Sequence, residues 1–369
     1  MKLCIIGNPN SIHILRWVRY FSSRGHDVHL VGIRSPRNPI PENVNFHDLT
    51  LSINIRKVSY IFWMITIRKI IYQIQPDILH AHFINGAGWL GATTGFHPFI
   101  VTSHGSDLLI QPDQSWVFKL LARWTLRKAD CVICVSHKLA SRAKYLGVSS
   151  EKLHVIPLGV DTSTFRPQKN RPSLRADLKL GNGPIIVSIR AIQAIYNPLD
   201  IARAITVVLK HEPSVQFIIF TYNHDKELLR QFKQIIQKAQ MSPSVMYIED
   251  LANDHEIARY LQIADIAISI ASSDGTPISV LETMACGTPV ILGDIPAFRG
   301  WIQNEYEALL VPLHDIGSLS STIIRLLNDA NLRKHLSSQA LGYIHKNKDS
   351  RIWMRKSEEV YLKVAKVKK

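Results

Sequence analysis

Short runs rich in Val, Ile and Leu recur along the whole chain, each followed by a longer stretch whose apolar residues fall at helical spacing. This alternation limits the possible folds more than any other feature. Strands apolar on both faces must be covered on both sides, and a helix between successive runs makes their pairing parallel. The runs place strands near 2–7, 27–33, 43–48, 78–83, 99–104, 131–136 and 153–157, and a second series near 185–189, 216–221, 245–249, 266–271, 289–293 and 308–311. Between the series, Val160-Asp161 leads through Phe165-Arg166-Pro167 into a polar stretch that ends at Gly183. The expected architecture is α/β, with one Rossmann-like domain over 1–166, a linker over 167–183, a second Rossmann-like domain over 184–349 and a terminal helix over 350–369. A length of 369 residues also exceeds what one ordinary core holds.

A hydrophobic content of 46% with 20% charged residues excludes a disordered chain and an integral membrane protein. The longest apolar run, Tyr60 to Ile67, is cut by Arg68-Lys69 and falls well short of a membrane span. Met1-Lys2-Leu3-Cys4-Ile5-Ile6-Gly7 reads as a strand and not as a secretory leader, so a cytoplasmic location is expected. Cys131 and Cys134 form a CxxC inside an apolar run with no second pair, which points to core packing and away from metal or redox chemistry.

The net charge of +15 is unevenly placed. Residues 1–166 hold 19 Lys and Arg against 9 Asp and Glu, and residues 333–369 hold 11 against 3, whereas the stretch between holds 14 against 17. Arg56 to Lys69 and Trp116 to Lys128 are both cationic and amphipathic, with Trp and Phe among the basic residues. Such helices suit the headgroup region of an anionic leaflet, although a basic solvent face on an ordinary packing helix has the same pattern. No helix-turn-helix, RNA-recognition or zinc-finger pattern accompanies the basicity, and no nucleic-acid partner is expected.

The first strand runs into Gly7-Asn8-Pro9-Asn10-Ser11, which lacks the GxGxxG of dinucleotide-binding folds. G-x-S-x-G, P-loop and HExxH patterns are absent as well. The block that carries chemistry lies late: Asp274-Gly275-Thr276-Pro277, then Val280-Leu281-Glu282, then Cys286-Gly287-Thr288-Pro289. A Gly- and Pro-rich turn opening a helix gathers free N–H groups into an anion site. Asp274 stands at its lip and Glu282 eight positions on, a little over two helical turns inward if the helix runs throughout. Amides for a diphosphate, with carboxylates gripping hydroxyls on either side, describe a nucleotide-sugar site. The turn alone fits an ordinary strand–loop–helix unit equally well.

Across nearly its full length the chain resembles the family 4, GT-B-fold glycosyltransferases. The resemblance rests on Asn8 to Trp17, Arg24-Gly25-His26-Asp27-Val28, His80-Ala81-His82, Ser103-His104-Gly105-Ser106-Asp107, Ala129-Asp130 to Ser136, Ile156 to Pro167 and the 274–290 block, in that order. It implies two Rossmann-like domains facing across a cleft, with the last helix crossing back to the first. It also implies a retaining transferase that moves a sugar from a nucleoside diphosphate to an acceptor hydroxyl, with no cofactor and no metal. Members carry two glutamates where this chain has Asp274 and Glu282; Glu282 would bind the ribose hydroxyls, while Gly275, Thr276, Pro277 and Ile278 would meet diphosphate and sugar. Members also carry an Arg followed five residues later by a Lys, both serving the diphosphate; here Arg190 is present and Ile195 stands in the Lys position, leaving Arg16, Arg299 or another basic residue as the substitute.

By the same resemblance His104 reaches the donor sugar and stabilises the transition state. Asn8, Ser11, His13 and Arg16 are candidates for acceptor or phosphate contact, and Asp107 either caps the next helix or orients the acceptor. No Asp or Glu stands out as a nucleophile, so a same-face substitution fits better than a double displacement. The expected role is peripheral, on the cytoplasmic face of the membrane, in envelope polysaccharide or lipid-linked oligosaccharide assembly, with a glycan or lipid-linked acceptor. A UDP-sugar 2-epimerase of the same fold and an inactive donor-binding partner subunit are the alternatives.

Overall fold

A computed structural model describes residues 1–37, 39–50, 56–178, 180–222, 224–249, 253–274 and 277–366, with side chains of the helix beginning at Arg56 described from residue 62. The chain forms two compact units, one of Met1–Leu158 joined by the segment from Ile352 on, the other of Gly159–Arg351.

The first unit holds β1 (Lys2–Gly7), β2 (Asp27–Gly32), β3 (Val44–Asp48), β4 (Ile78–His82), β5 (Phe99–Ser103), β6 (Cys131–Cys134) and β7 (Leu153–Val155). They pair in parallel in the order β3-β2-β1-β4-β5-β6-β7. Helices α1 (Ile12–Ser23), α2 (Arg56–Ile74), α3 (Ala87–Thr94), α4 (Ser106–Leu109), α5 (Gln111–Gln114), α6 (Trp116–Lys128) and α7 (His137–Tyr145) connect them. Every residue of β4, β5 and β6 is buried, as strands covered on both faces must be. The four cysteines are free and buried, Cys131 and Cys134 within β6, and burial pushes both of their thiols up to about 12.

In α1 the buried Ile14, Leu15, Trp17, Val18 and Phe21 make one apolar stripe. The terminal helix α16 (Ser350–Lys366) adds Met354 and Tyr361 to the same core cluster. Tyr361 is fully buried with its ring stacked on Phe21 at 4.8 Å, and its hydroxyl accepts from Trp17 Nε1 at 2.8 Å and bonds to His80 Nδ1. Glu358, one turn earlier, bonds His26 at 2.9 Å.

The second unit holds β8 (Ile185–Ser188), β9 (Gln216–Phe220), β10 (Val245–Ile248), β11 (Ile266–Ser269), β12 (Val290–Gly293) and β13 (Leu309–Val311), paired in parallel in the order β10-β9-β8-β11-β12-β13. Its helices are α8 (Arg171–Asp177), α9 (Pro198–His211), α10 (Lys226–Lys238), α11 (Asp254–Ile263), α12 (Ile278–Ala285), α13 (Pro296–Arg299), α14 (Ile316–Asn328) and α15 (Ala330–Asn347).

All thirteen strands expected from the apolar runs are present. Most stop a residue or two earlier than the apolar runs do, β5 at Ser103 just before His104 and β8 at Ser188 two residues before Arg190. The junction differs from the expected one. Residues 159–166 belong to the second unit, where Val160 bridges to Asp349 and Phe165 is fully buried. Residues 167–183 are no plain linker either. Asn170 caps α8, Leu174 is buried in the second core, and Arg171 Nη2 donates to the Ile263 carbonyl at 2.6 Å and to Asp265 at 2.9 Å. A few apolar and arginine anchors in a polar stretch suffice to dock it.

Candidate functional site

In an open parallel sheet, ligands bind beyond the carboxyl ends of the strands where the strand order reverses. In the second unit that point lies between β8 and β11, and the chains leaving these two strands deliver Arg190 and Asp274. The Arg190 guanidinium forms a salt bridge with the Asp274 carboxylate, its Nε donates to Ser269 Oγ at 2.9 Å, and it lies 5.1 Å from the centre of the Tyr196 ring. Both side chains are largely buried. The cation expected to meet a diphosphate is thus already held by the acid expected to meet the sugar. Tyr222 stands close by: burial first pushes its phenol up, Arg190 opposes this, and Glu282 and Tyr196 add to it. Arg190, Asp274, Tyr196, Tyr222 and Glu282, from three loops and a helix, therefore share one electrostatic neighbourhood.

Helix α12 begins at Ile278 with Pro277 as its N-cap residue. Gly275 and Thr276 lie outside the described residues. Glu282 is buried one turn into this helix, so α12 supplies a single turn before it where two were expected, and Pro277 marks where the helix starts. Ser279 Oγ, also in the first turn, is buried with no hydrogen-bond partner among the described residues. Ile195, in the position of the second cation, is exposed, and its carbonyl accepts from Ser272 N at 2.8 Å. Asn197 follows with φ +48, donating to the Ile270 carbonyl at 2.7 Å and Ser272 Oγ at 2.8 Å. These bonds tie the loop after β8 to the loop after β11. Arg299, one expected substitute cation, is clamped on both nitrogens to Asp294 at 2.9 Å and exposed.

In the first unit the reversal lies between β1 and β4, and histidines collect there. His82 ends β4 beside Thr102 of β5, and His104 follows β5 directly. His82 Nδ1 and His104 Nε2 share a hydrogen bond of 3.0 Å, while His82 Nε2 and His104 Nδ1 are both buried and unpartnered among the described residues. His13, from the first turn of α1, stacks on His104 at 5.7 Å. Burial holds all of these rings in the neutral form. His13 is lowered to about 4 by burial and then Arg16; His82 and His104 are each lowered by burial first and then by the neighbouring histidines. One proton serves the His82–His104 bond, so the His104 ring is neutral, and its remaining nitrogen, Nδ1, is shut off from solvent in the structure.

Asp107 does not cap α4, whose N-cap residue is Gly105. It is buried, and its carboxylate accepts from Ile84 N at 2.9 Å, Gly105 N at 2.8 Å, His104 N at 3.2 Å and Ser103 Oγ at 3.2 Å. It fixes the turn that presents His104, a turn that needs φ +155 at Gly105. Asn8 Oδ1 accepts from Asn10 N at 3.0 Å, closing the turn before α1. Ser11 is the N-cap residue of α1 and makes no side-chain cap bond. His82, Tyr196, Tyr222 and Ser269 were given no role from sequence. His82 carried the best signal, as a polar residue at the end of an apolar run.

Residues 2–136 match the family described as Glycosyl transferase 4-like, and residues 170–342 match the Glycosyl transferases group 1, so that the two span most of the chain. Among curated relatives, the chain is 26% identical over 293 residues to the UDP-Gal:alpha-D-GlcNAc-diphosphoundecaprenol alpha-1,3-galactosyltransferase of Escherichia coli, covering 76% of this chain and 74% of that protein. It is 28% identical over 292 residues to the alpha-monoglucosyldiacylglycerol synthase of Streptococcus pneumoniae, covering 74% of this chain and 64% of that protein. Among solved structures, Anabaena Alr3699/HepE in complex with UDP-glucose superposes with a TM-score of 0.76 at 15% identity, covering 98% of this chain and 99% of that one.

Proposed function

The chain belongs to the group 1 glycosyltransferases and has their GT-B fold, and from that membership we propose that it transfers a sugar, with retention, from a UDP-sugar to a hydroxyl of a lipid-linked glycan or glycolipid in envelope assembly. The observation that carries this reading is the pairing of Arg190 with Asp274 at the switch point of the second sheet, with Tyr222 in electrostatic reach of Arg190 and of Glu282. A pyrophosphate there finds a guanidinium and the start of α12, the ribose hydroxyls find the carboxylate of Glu282, and the uracil finds aromatic faces near Tyr196 and Tyr222. The donor class is supported by the UDP-glucose bound to the similar Anabaena protein. The acceptor class is supported by the diphosphoundecaprenol and diacylglycerol acceptors in the names of the two relatives.

In transfer, Arg190 and the amides of α12 take up the charge that grows on the leaving diphosphate. The neutral ring of His104 stands beside the sugar and adds no like charge as positive charge develops at its anomeric carbon. The acceptor hydroxyl attacks on the face the diphosphate leaves, and a phosphate oxygen receives its proton, so the C–O bond that forms replaces the one that breaks with the same stereochemistry. No metal is invoked. Among the described residues no helix is long and apolar enough to cross a membrane, and we place the chain at the cytoplasmic face, held through the basic helices α2 and α6.

A second reading, a chain that binds donor without turning it over, is favoured by Ile195 in the place of a cation and by the engagement of Arg190 with Asp274. One experiment separates the two. Calorimetry with UDP-, GDP-, ADP- and CMP-sugars should find micromolar binding of a UDP-sugar, and incubation with a membrane lipid extract should then release UDP. Binding without release supports the second reading; no binding of any donor sinks both.

A further inference from the structure

Away from the histidines, the first unit carries a hollow of about 500 Å³ between α2, α3 and α6, lined by Met64, Trp89, Leu90, Thr93, Leu121 and Trp124. Its volume falls in the range of about 300–1,000 Å³ usual for small-ligand pockets. The lining is apolar side chain apart from Thr93, whose hydroxyl is turned back onto the Leu90 carbonyl at 2.7 Å. Water entering here gains almost no hydrogen bonds.

The rim is of the opposite character. Arg68, one turn beyond Met64 on α2, is exposed and donates through Nε and Nη2 to the Thr93 carbonyl at 2.9 and 2.5 Å. That clamp fixes the guanidinium at the edge of the hollow. On α6, Leu121 and Trp124 lie on one face with Lys128 one turn on, and Arg127 beside it. No carboxylate lines the hollow. The surrounding surface is apolar as well, with Ile65, Trp116 and Leu120 each more than half exposed. An apolar hollow with a fixed cation at its edge, set in an exposed apolar and basic surface, matches a molecule with one hydrocarbon chain next to one negative charge.

We propose that this hollow seats a single acyl chain of an anionic phospholipid of the membrane leaflet, with Arg68 on the lipid phosphate. The site rests on the membrane-facing part of the reading above and deepens it: the chain would grip an individual lipid in addition to lying on a charged surface. The apolar chain supplies most of the affinity, and the guanidinium selects for an anionic head.

Trp89 and Trp124 line the hollow and report on it directly. The full-length protein is titrated with a lysophosphatidylglycerol carrying a brominated acyl chain, below its micelle concentration, while tryptophan emission is followed. Saturable quenching is expected, with little from glycerol phosphate, and weaker binding of the brominated lysophosphatidylcholine by about fivefold, the effect of one basic contact. Arg68→Gln should weaken the anionic lipid by the same factor and bring the two lipids level. Thr93→Phe, which fills the hollow, should abolish quenching while thermal melting shows the fold intact. Should Thr93→Phe fail to fold, Arg68→Gln and the pair Trp89→Phe with Trp124→Phe, which should remove the quenched emission, decide the matter. Absence of quenching, equal quenching by both lipids in the unaltered chain, or quenching that survives the loss of both tryptophans overturns the proposal. UDP-sugar binding, measured calorimetrically on the same samples, does not involve this hollow, so failure here and failure of the transferase reading are told apart.

Discussion

The guanidinium of Arg190 is bonded to the carboxylate of Asp274, across the point where the strand order of the second sheet reverses. A diphosphate arriving there must draw Arg190 away from a partner of opposite charge before the cation can serve it. Asp274 is thus a competitor of the ligand in the free chain and, in the proposed reaction, a partner of the sugar in the bound one.

These two roles give opposite signs in one variant. Asp274→Asn should bind UDP more tightly, by about fivefold for an interaction of about 1 kcal/mol, because Arg190 is released. The same variant should transfer sugar more slowly. Arg190→Ala should lose roughly 100- to 1,000-fold in kcat, the usual effect of removing one stabilising donor. Calorimetry with UDP and a UDP-release assay check both; weaker UDP binding by Asp274→Asn would show that the pair does not oppose the ligand.

His82 has no open route to a ligand in the structure, yet its Nδ1 holds His104 Nε2 at 3.0 Å. In the proposed reaction it fixes the tautomer and plane of the ring assigned to the sugar. His82→Phe should lower kcat by about tenfold or more, within the range of one positioned group, and leave the donor KM nearly unchanged. His82→Gln, which can still bond His104, should recover part of the loss. A fall in stability with no split between kcat and KM would make the residue structural only.

Much of this was legible in the sequence, for identifiable reasons. The strands announce themselves because a sheet covered on both faces demands continuous apolar runs, and the terminal helix expected over 350–369 corresponds to α16, described over Ser350–Lys366. The candidates that follow strand ends, Arg190 and His104, are singled out by the resemblance, since a lone polar residue after an apolar run is more often structural. The bond between Arg190 and Asp274 could not be found in the sequence, since it joins residues 84 apart through the pairing of β8 with β11. Asp107 was misread for a related reason: three of its four partners are local, but the bond to Ile84 N crosses from β4 and turns the carboxylate inward. The domain junction was shifted because Val160 and Phe165 are isolated apolar residues in a polar stretch, and only their burial shows which core they join.

Tyr361 ties α16 to the first unit through a buried relay. Trp17 Nε1 donates to its hydroxyl, the hydroxyl donates to His80 Nδ1, and His80 Nε2 donates to Thr102 Oγ1 at 2.7 Å. Tyr361→Phe keeps the stack on Phe21 and orphans both a donor and an acceptor in the core. It should cost about 2–6 kcal/mol, from two unsatisfied groups at about 1–3 each, read as a drop in urea midpoint at constant m-value. A change under about 0.5 kcal/mol, the scale of surface substitutions, would mean that the hydroxyl is not shut off from water.

The same relay sets a pH dependence whose sign follows from the neutral histidines. His80 is held down to about 3 and His13 to about 4, in both cases by burial first, and His82 and His104 are lowered in the same direction. In the unfolded chain each ring takes its proton near pH 6.5. Between that value and the folded one the unfolded chain binds more protons, so folding stability is full at neutral pH and falls as the solution is acidified. Each ring contributes a slope of about 1.4 kcal/mol per pH unit in that window. His80→Gln leaves an acceptor for Tyr361 and removes a titrating ring, so its urea midpoint should fall less steeply between about pH 6 and pH 4 than that of the unaltered chain, by this slope. An unchanged slope would mean that His80 protonates in the folded state, which the bond from Tyr361 forbids, and would overturn the direction assigned to that bond.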